Sequence, residues 1–283
     1  MKKLLFVISL IAITAGTGYV IYRSNSGALP RWDFLSNLVR QPLAKSEEAV
    51  SQAVKNIAAR ENLLPPPLRA PERASTASLV KADVVKWTNI QRANNGETAL
   101  TENAKLDQAA AKKLQDMFAK QYFEHISPAG VGPSDLANQV GYKFIMVGEN
   151  LALGDFKDAQ ALLDAWMNSP GHRANILNKR YEEIGVAVGR GQFQGETVWL
   201  AVQEFGTPLS SCPQPDQQLQ SQIVNNNAQL KIMQQQLDEY KSKGEVENYN
   251  NLVSVYNNLV DKTKTLVSVY NSQVTAFNQC VSG

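Results

Sequence analysis

Imidazole and thiol groups are scarce in this sequence: its 283 residues include 2 histidines and 2 cysteines. That count excludes four-cysteine zinc sites, zinc fingers and dense disulfide scaffolds. A surplus of one charge sign is also missing, with 28 Lys+Arg against 26 Asp+Glu. No basic face is left for nucleic acid, and that partner is ruled out. Imidazole or metal chemistry has to run through His125 or His172. What is present is ordinary. Hydrophobic residues make up 43%, enough for a core and too many for a disordered or collagen-like chain. At ~150 residues per domain, the length predicts roughly two folded units.

Lys2 and Lys3 precede an uncharged run from Leu4 to Tyr22. As a helix this run is roughly 28 Å long, close to the ~30 Å hydrocarbon core. It predicts a signal-anchor over residues 1–22, with a signal peptide cut near Gly16 as the alternative. Positive charge on the leading flank keeps that end cytoplasmic and places the rest of the chain outside. No cysteine follows the run, which excludes a lipoprotein anchor.

Residues 23–79 read as an extracytoplasmic spacer. Ala49, Val50, Ala53, Val54, Ile57 and Ala58 fall at helical spacing between Ser46 and Glu61. The segment LLPPPLRAPERAS then brings Pro65, Pro66, Pro67 and Pro71, which favour an extended polyproline tether without chemistry of its own.

From Val80 to Pro208 the composition becomes globular. Helices are predicted over Val80–Asn94, Thr101–Lys120 and Asp158–Met167, with a strand over Phe144–Leu153. Two further β runs, Ile184–Val188 and Thr197–Phe205, are separated by a glycine-rich turn at Gly189–Gly195. The sequence GVAVGRG resembles a phosphate loop, but no helix follows it. Mixed helices and strands closing in a hairpin predict an α+β sandwich.

Residues 209–283 form a different pattern. Leu219, Ile223, Asn226, Leu230, Met233, Leu237 and Tyr240 alternate spacings of four and three. A second stripe runs through Tyr249, Leu252, Tyr256, Leu259, Thr263, Leu266, Tyr270, Gln273 and Phe277. LVSVYN occurs at 252–257 and again two heptads later at 266–271. These stripes predict an antiparallel helical hairpin of coiled-coil type turning at Gly244. Its open end brings Cys212 and Cys280 together as a disulfide, which suits an exported chain. The hairpin is also a candidate surface for self-association.

Each histidine lies beside proline and glycine punctuation, His125 in YFEHISPAG and His172 in AWMNSPGHRANIL. Loops of this kind present side chains to a cleft. Glu149 lies between them in VGENLALG, at the start of an apolar strand. Ser127 and Ser169 stand close to the two histidines, but neither occupies a nucleophile elbow.

The segments VVKWTNIQRANNGETALTENAKLDQAAAKKLQ, YFEHISPAG, VGENLALG, AWMNSPGHRANILN, YEEIGVAV and VWLAVQEFG, in this order, resemble the CAP superfamily. That group holds the cysteine-rich secretory, antigen 5 and pathogenesis-related proteins, and the likeness is to its short bacterial cell-surface branch. The resemblance implies an α-β-α sandwich over residues 80–208, with an open cleft faced by His125, Glu149 and His172. A second family glutamate usually follows the tryptophan of the preceding helix. Here Met167, Asn168 and Ser169 follow Trp166 without an acid.

Three functions are in play. The first is an envelope-tethered or secreted module binding a lipid, peptide or glycan through His125, Glu149 and His172. The second is a hydrolase of peptide or cell-wall material in which those residues hold a divalent metal, zinc or magnesium, in the His₂Glu manner of catalytic zinc sites. The third is an assembly protein acting through the hairpin. The membrane partner is expected through residues 4–22.

Overall fold

The computed structural model describes residues 64–70 and 78–282, and the expected membrane segment at 4–22 and helix at 46–61 lie outside them. The chain divides into two compact units, one within residues 57–211 and the other, among the described residues, running from Cys212 to Ser282. Among the described residues no helix is long and apolar enough to cross a membrane.

The first unit begins with a two-residue strand, β1 (Leu68–Arg69), followed by helix α1 (Lys81–Asn94), strand β2 (Thr101–Glu102), and helices α2 (Ala104–Lys120) and α3 (Pro133–Gln139). Strand β3 (Phe144–Leu153) leads to helices α4 (Ala159–Asn168) and α5 (Pro170–Ile176), and β4 (Glu183–Phe193) and β5 (Glu196–Pro208) close the unit. One sheet orders the strands β1-β3-β5-β4-β2. β3 and β4 each run antiparallel to the central β5, while β1 and β2 join the edges in parallel.

Strand alternation sorts the sheet's side chains into two cores. Met146, Ala152, Ala201 and Phe205 pack with Val84 of α1, Leu162, Leu163 and Trp166 of α4, and Ile176 of α5. Leu151, Leu153, Leu200 and Val202 pack against Ala110 and Met117 of α2. The result is the expected three-layer arrangement of helices, sheet and helices. The second helix starts later than the expected Thr101, because Thr101 and Glu102 pair with β4 as β2. Asn103 caps α2 by accepting from the backbone N–H of Lys105, and Asp158 accepts from that of Ala161 at 2.9 Å.

Three further expectations change. The predicted turn at Gly189–Gly195 is mostly strand: β4 continues to Phe193, and only Gln194 and Gly195 turn with positive φ. Gly191 belongs in the strand because a Cβ there would stand 3.0 Å from the Phe118 ring. Pro170–Ile176 is a helix with proline in its first turn, so His172 sits on a helix rather than a loop. The proline-rich spacer also does not stand away from the domain: Leu68 and Arg69 pair with Ala152 and Leu153 of β3.

The second unit is the predicted antiparallel hairpin, α6 (Gln217–Lys243) and α7 (Val246–Ser282), joined through Gly244 at φ 72°. Ile223 packs with Val267, Tyr270 and Val274, while Leu230 and Leu237 pack with Tyr256. Asn226 donates to Thr263 at 3.1 Å, placing one polar layer in the seam that penalises slipped registers. Cys212 and Cys280 form a disulfide with Cα atoms 5.7 Å apart.

Candidate functional site

Helix α2 supplies the floor of the site. Lys113 falls on the apolar stripe of that helix and is buried. Its ammonium donates to the backbone oxygens of Glu124 at 2.6 Å and His125 at 2.7 Å. Those bonds fold the loop after α2 so that the His125 ring enters the interior. Burial pushes the Lys113 ammonium below the usual lysine range, opposed by the nearby carboxyl of Glu149.

Strands β3 and β5 supply two acids. Glu149 and Glu204 are register partners and are both fully buried. Oε1 of Glu149 lies 2.6 Å from Nδ1 of His125. Burial raises both carboxyls, Glu149 to about 7 and Glu204 well above the ordinary value, the latter pushed further by the charge on Glu149. As bare carboxylates, Oε2 of Glu149 and Oε1 of Glu204 have no partner. A proton on Glu204 makes the contact between the two side chains a hydrogen bond.

Hydrogen positions follow from the acceptors. Nε2 of His125 lies 2.5 Å from the carbonyl oxygen of Pro65. A carbonyl only accepts, so Nε2 carries the hydrogen and donates. Nδ1 and Glu149 then share one proton, and Glu149 and Glu204 share a second. With one proton in each of these contacts the array Pro65–His125–Glu149–Glu204 has no net charge, wherever the middle proton sits. Burial lowers the His125 ring as it raises the acids, which agrees with this neutral count.

His172 reaches the same region from α5. Its Nδ1 lies 2.7 Å from Oγ of Ser169, the N-cap position of that helix, and its Nε2 is buried without a hydrogen-bond partner. Burial and the neighbouring His125 lower this imidazole to about 4, so it is neutral at neutral pH. A relay of amides fixes α5 to the sheet. Asn175 donates to Asn150 at 2.9 Å, Asn150 to Gln203 at 3.0 Å, and Gln203 to Thr88 of α1 at 2.7 Å. Arg92 of α1 closes the other end of α5 by donating to the carbonyls of Ile176 and Asn178. Asn175 therefore has a structural role, tying α5 to β3.

The three expected residues come together, and two that sequence reasoning passed over join them. Both had left a signal. Lys113 is a cation within the stripe Leu106, Ala110, Leu114, Met117, and Glu204 is an acid on the apolar phase Val198, Leu200, Val202. Glu204 sets a second buried carboxyl opposite Glu149, whereas no acid follows Trp166 at residues 167–169.

For a metal, the arrangement does not fit. Among the described residues no three His, Cys, Asp or Glu side chains are placed to hold an ion. His125 has no nitrogen to give while Nε2 donates to Pro65. A cavity of about 440 Å³ lies across Lys113, lined by Asp116, Tyr122, Ser127 and Gln139, and includes neither histidine.

Residues 85–205 match the profile of the cysteine-rich secretory protein family, CAP. Over 173 residues the chain is 33% identical to YkwD of Bacillus subtilis, an uncharacterized protein, covering 58% of this chain and 65% of that one. Over 107 residues it is 31% identical to the B. subtilis membrane protein YlbC, covering 38% of this chain and 31% of the relative. The chain thus spans less than two thirds of either relative. Among solved structures, an extracellular SCP-domain protein of Bacillus anthracis is similar at 28% identity and a TM-score of 0.39, over 44% of this chain and 39% of the other. An outer surface protein of Borrelia burgdorferi is similar at 21% identity and a TM-score of 0.40, over 45% of this chain and 94% of the other.

Proposed function

We propose, on the premise that residues 85–205 form a CAP domain, that the chain is an extracytoplasmic binding module rather than a hydrolase. The observation that carries this is the closed array at His125. Both ring nitrogens are engaged, one with Glu149 and one with a backbone carbonyl. No free imidazole nitrogen remains at His125 to activate a water. The Ser169–His172 pair supports catalysis poorly, because an imidazole held at about 4 is a weak acceptor of a serine proton at neutral pH. A metal-assisted reaction lacks its third donor while His125 is engaged. The charged leading segment before the apolar run and the disulfide between Cys212 and Cys280 support an oxidising compartment outside the cytoplasm.

The test follows the His125 and His172 ring signals of the full chain by NMR during addition of three probes. These are phosphatidylglycerol vesicles, purified peptidoglycan fragments and a proline-rich peptide. The expected result is that one class shifts both rings, without turnover of casein or cell wall. Hydrolysis that a His125→Ala/His172→Ala chain has lost would replace this reading with the enzymatic one.

A further inference from the structure

Residues 64–70, Leu-Pro-Pro-Pro-Leu-Arg-Ala, lie on the site as a ligand would. The three prolines have no N–H and can attach only through carbonyls and ring packing. Pro65 is buried and gives its carbonyl to Nε2 of His125 at 2.5 Å. Its ring lies where a side chain on residue 171 would go: a Cβ on Gly171 would stand 2.6 Å from Cβ of Pro65. The first residue able to donate after the prolines is Leu68, and there a parallel ladder begins, Leu68 opposite Ala152 and Arg69 opposite Leu153. It ends with the N–H of Ala70 donating to the Leu153 oxygen at 2.9 Å. Leu68 and Ala70 pack against the core, and the Arg69 guanidinium lies 5.2 Å from the centre of the Phe123 ring. Gly154, at φ 124°, leaves room for Ala70, since a Cβ there would come within 2.6 Å of the Ala70 Cβ.

Two general modes of peptide recognition are combined here, a polyproline turn against a small-residue notch and strand addition at a sheet edge. Recognition is mainly through backbone groups: one carbonyl to a histidine, then a short ladder. The paired strand is only two residues long, with Leu64, Pro66 and Arg69 exposed, so its hold is limited.

We propose that the trough formed by His125, Gly171 and the edge of β3 is a binding site for extended, proline-rich peptide, and that residues 64–70 are its tethered occupant. A segment of another polypeptide enters by displacing them. This deepens the binding reading above and rests on it. A tethered occupant competes at an effective concentration on the order of mM, so for a segment that binds with a Kd of about 0.1 mM or tighter its removal raises apparent affinity for an external peptide at least tenfold.

The experiment uses the labelled, end-blocked peptide Leu-Pro-Pro-Pro-Leu-Arg-Ala. It compares the full chain with a full-length variant whose residues 64–70 are replaced by a Gly/Ser sequence of equal length. The expected result is at least tenfold tighter binding to the variant, lost when Gly171→Val is added and lost with a scrambled peptide. Equal affinity for both chains, or indifference to Gly171→Val, overturns the proposal. Hydrogen exchange at the Ala70 amide of the unaltered chain provides the readout if the replacement does not fold. Excess peptide is expected to speed that exchange, and no change at mM peptide counts against displacement. Ring shifts with vesicles or peptidoglycan and none with peptide would sink this inference while leaving the binding reading standing.

Discussion

Glu149 of β3 and Glu204 of β5 are register partners on adjacent strands, and both side chains are buried. Two carboxylates this close in a low-dielectric interior cannot both ionise without a large penalty. The pair therefore ties the stability of the globular unit to pH. A group with a raised folded-state pKa contributes stability at low pH that is lost as pH rises. Here the loss runs from the ordinary carboxylate value near ~4.3 up through about 7 for Glu149.

Glu204→Gln is expected to reduce that dependence to the part carried by the buried Glu149, because an amide donates to Glu149 without titrating. Denaturation followed by tryptophan fluorescence suits this unit, which holds Trp87, Trp166 and Trp199, while the hairpin has no tryptophan. At pH 8 the variant should be more stable than its parent by on the order of 1–3 kcal/mol. An unchanged slope between pH 4.5 and 8 would mean that Glu204 is not a titrating element.

His172 works in the opposite direction. Its folded-state value lies near 4, below the usual 6.5, because the ring is buried beside His125. Stability is then full above about 6.5 and declines as pH falls toward 4, where the unfolded chain takes up a proton that the folded chain refuses. His172→Asn keeps an acceptor or donor for Ser169 and should flatten this acid limb. The ring resonances of the parent are expected to stay constant from pH 8 to 5. A midpoint near 6.5 would contradict the burial argument.

Lys113 holds two backbone oxygens and faces the acid pair. Lys113→Met preserves the apolar stem but orphans those carbonyls, at an expected cost of about 2–4 kcal/mol. Combined with Glu204→Gln, the losses and gains should not add, since the two side chains interact through Glu149. Simple additivity in chemical denaturation would argue that Lys113 serves only the loop.

The disulfide closes a sequence separation of 68 residues at the open end of the hairpin. In the chain-entropy picture a loop of that size stabilises by about 4 kcal/mol. Replacing both Cys212 and Cys280 with serine should lower the melting temperature of the helical signal by circular dichroism. A melt that does not move would show that the Ile223 and Tyr256 clusters alone hold the helices together.

Local periodicity was enough to read much of the architecture. The strand Phe144–Leu153 has the bounds its apolar run predicts, Asp158 caps the helix expected there, and the seven-residue stripes meet as a hairpin with the cysteines at its end. Each of these depends on side-chain spacing along a single element, which a sequence displays directly. The gathering of His125, Glu149 and His172 was legible only through resemblance, because nothing in their spacing brings a loop, a strand and a short helix together. Tertiary structure alone decided the rest. Glu204 becomes the second acid because strand register sets it opposite Glu149. Lys113 is tolerated inside because loop carbonyls close over it. Pro65 turns from spacer into occupant because the edge of β3 lacks another neighbour there. The 2 histidines marked where chemistry had to lie, but long-range pairing, invisible in linear order, determined which protons they hold and what covers them.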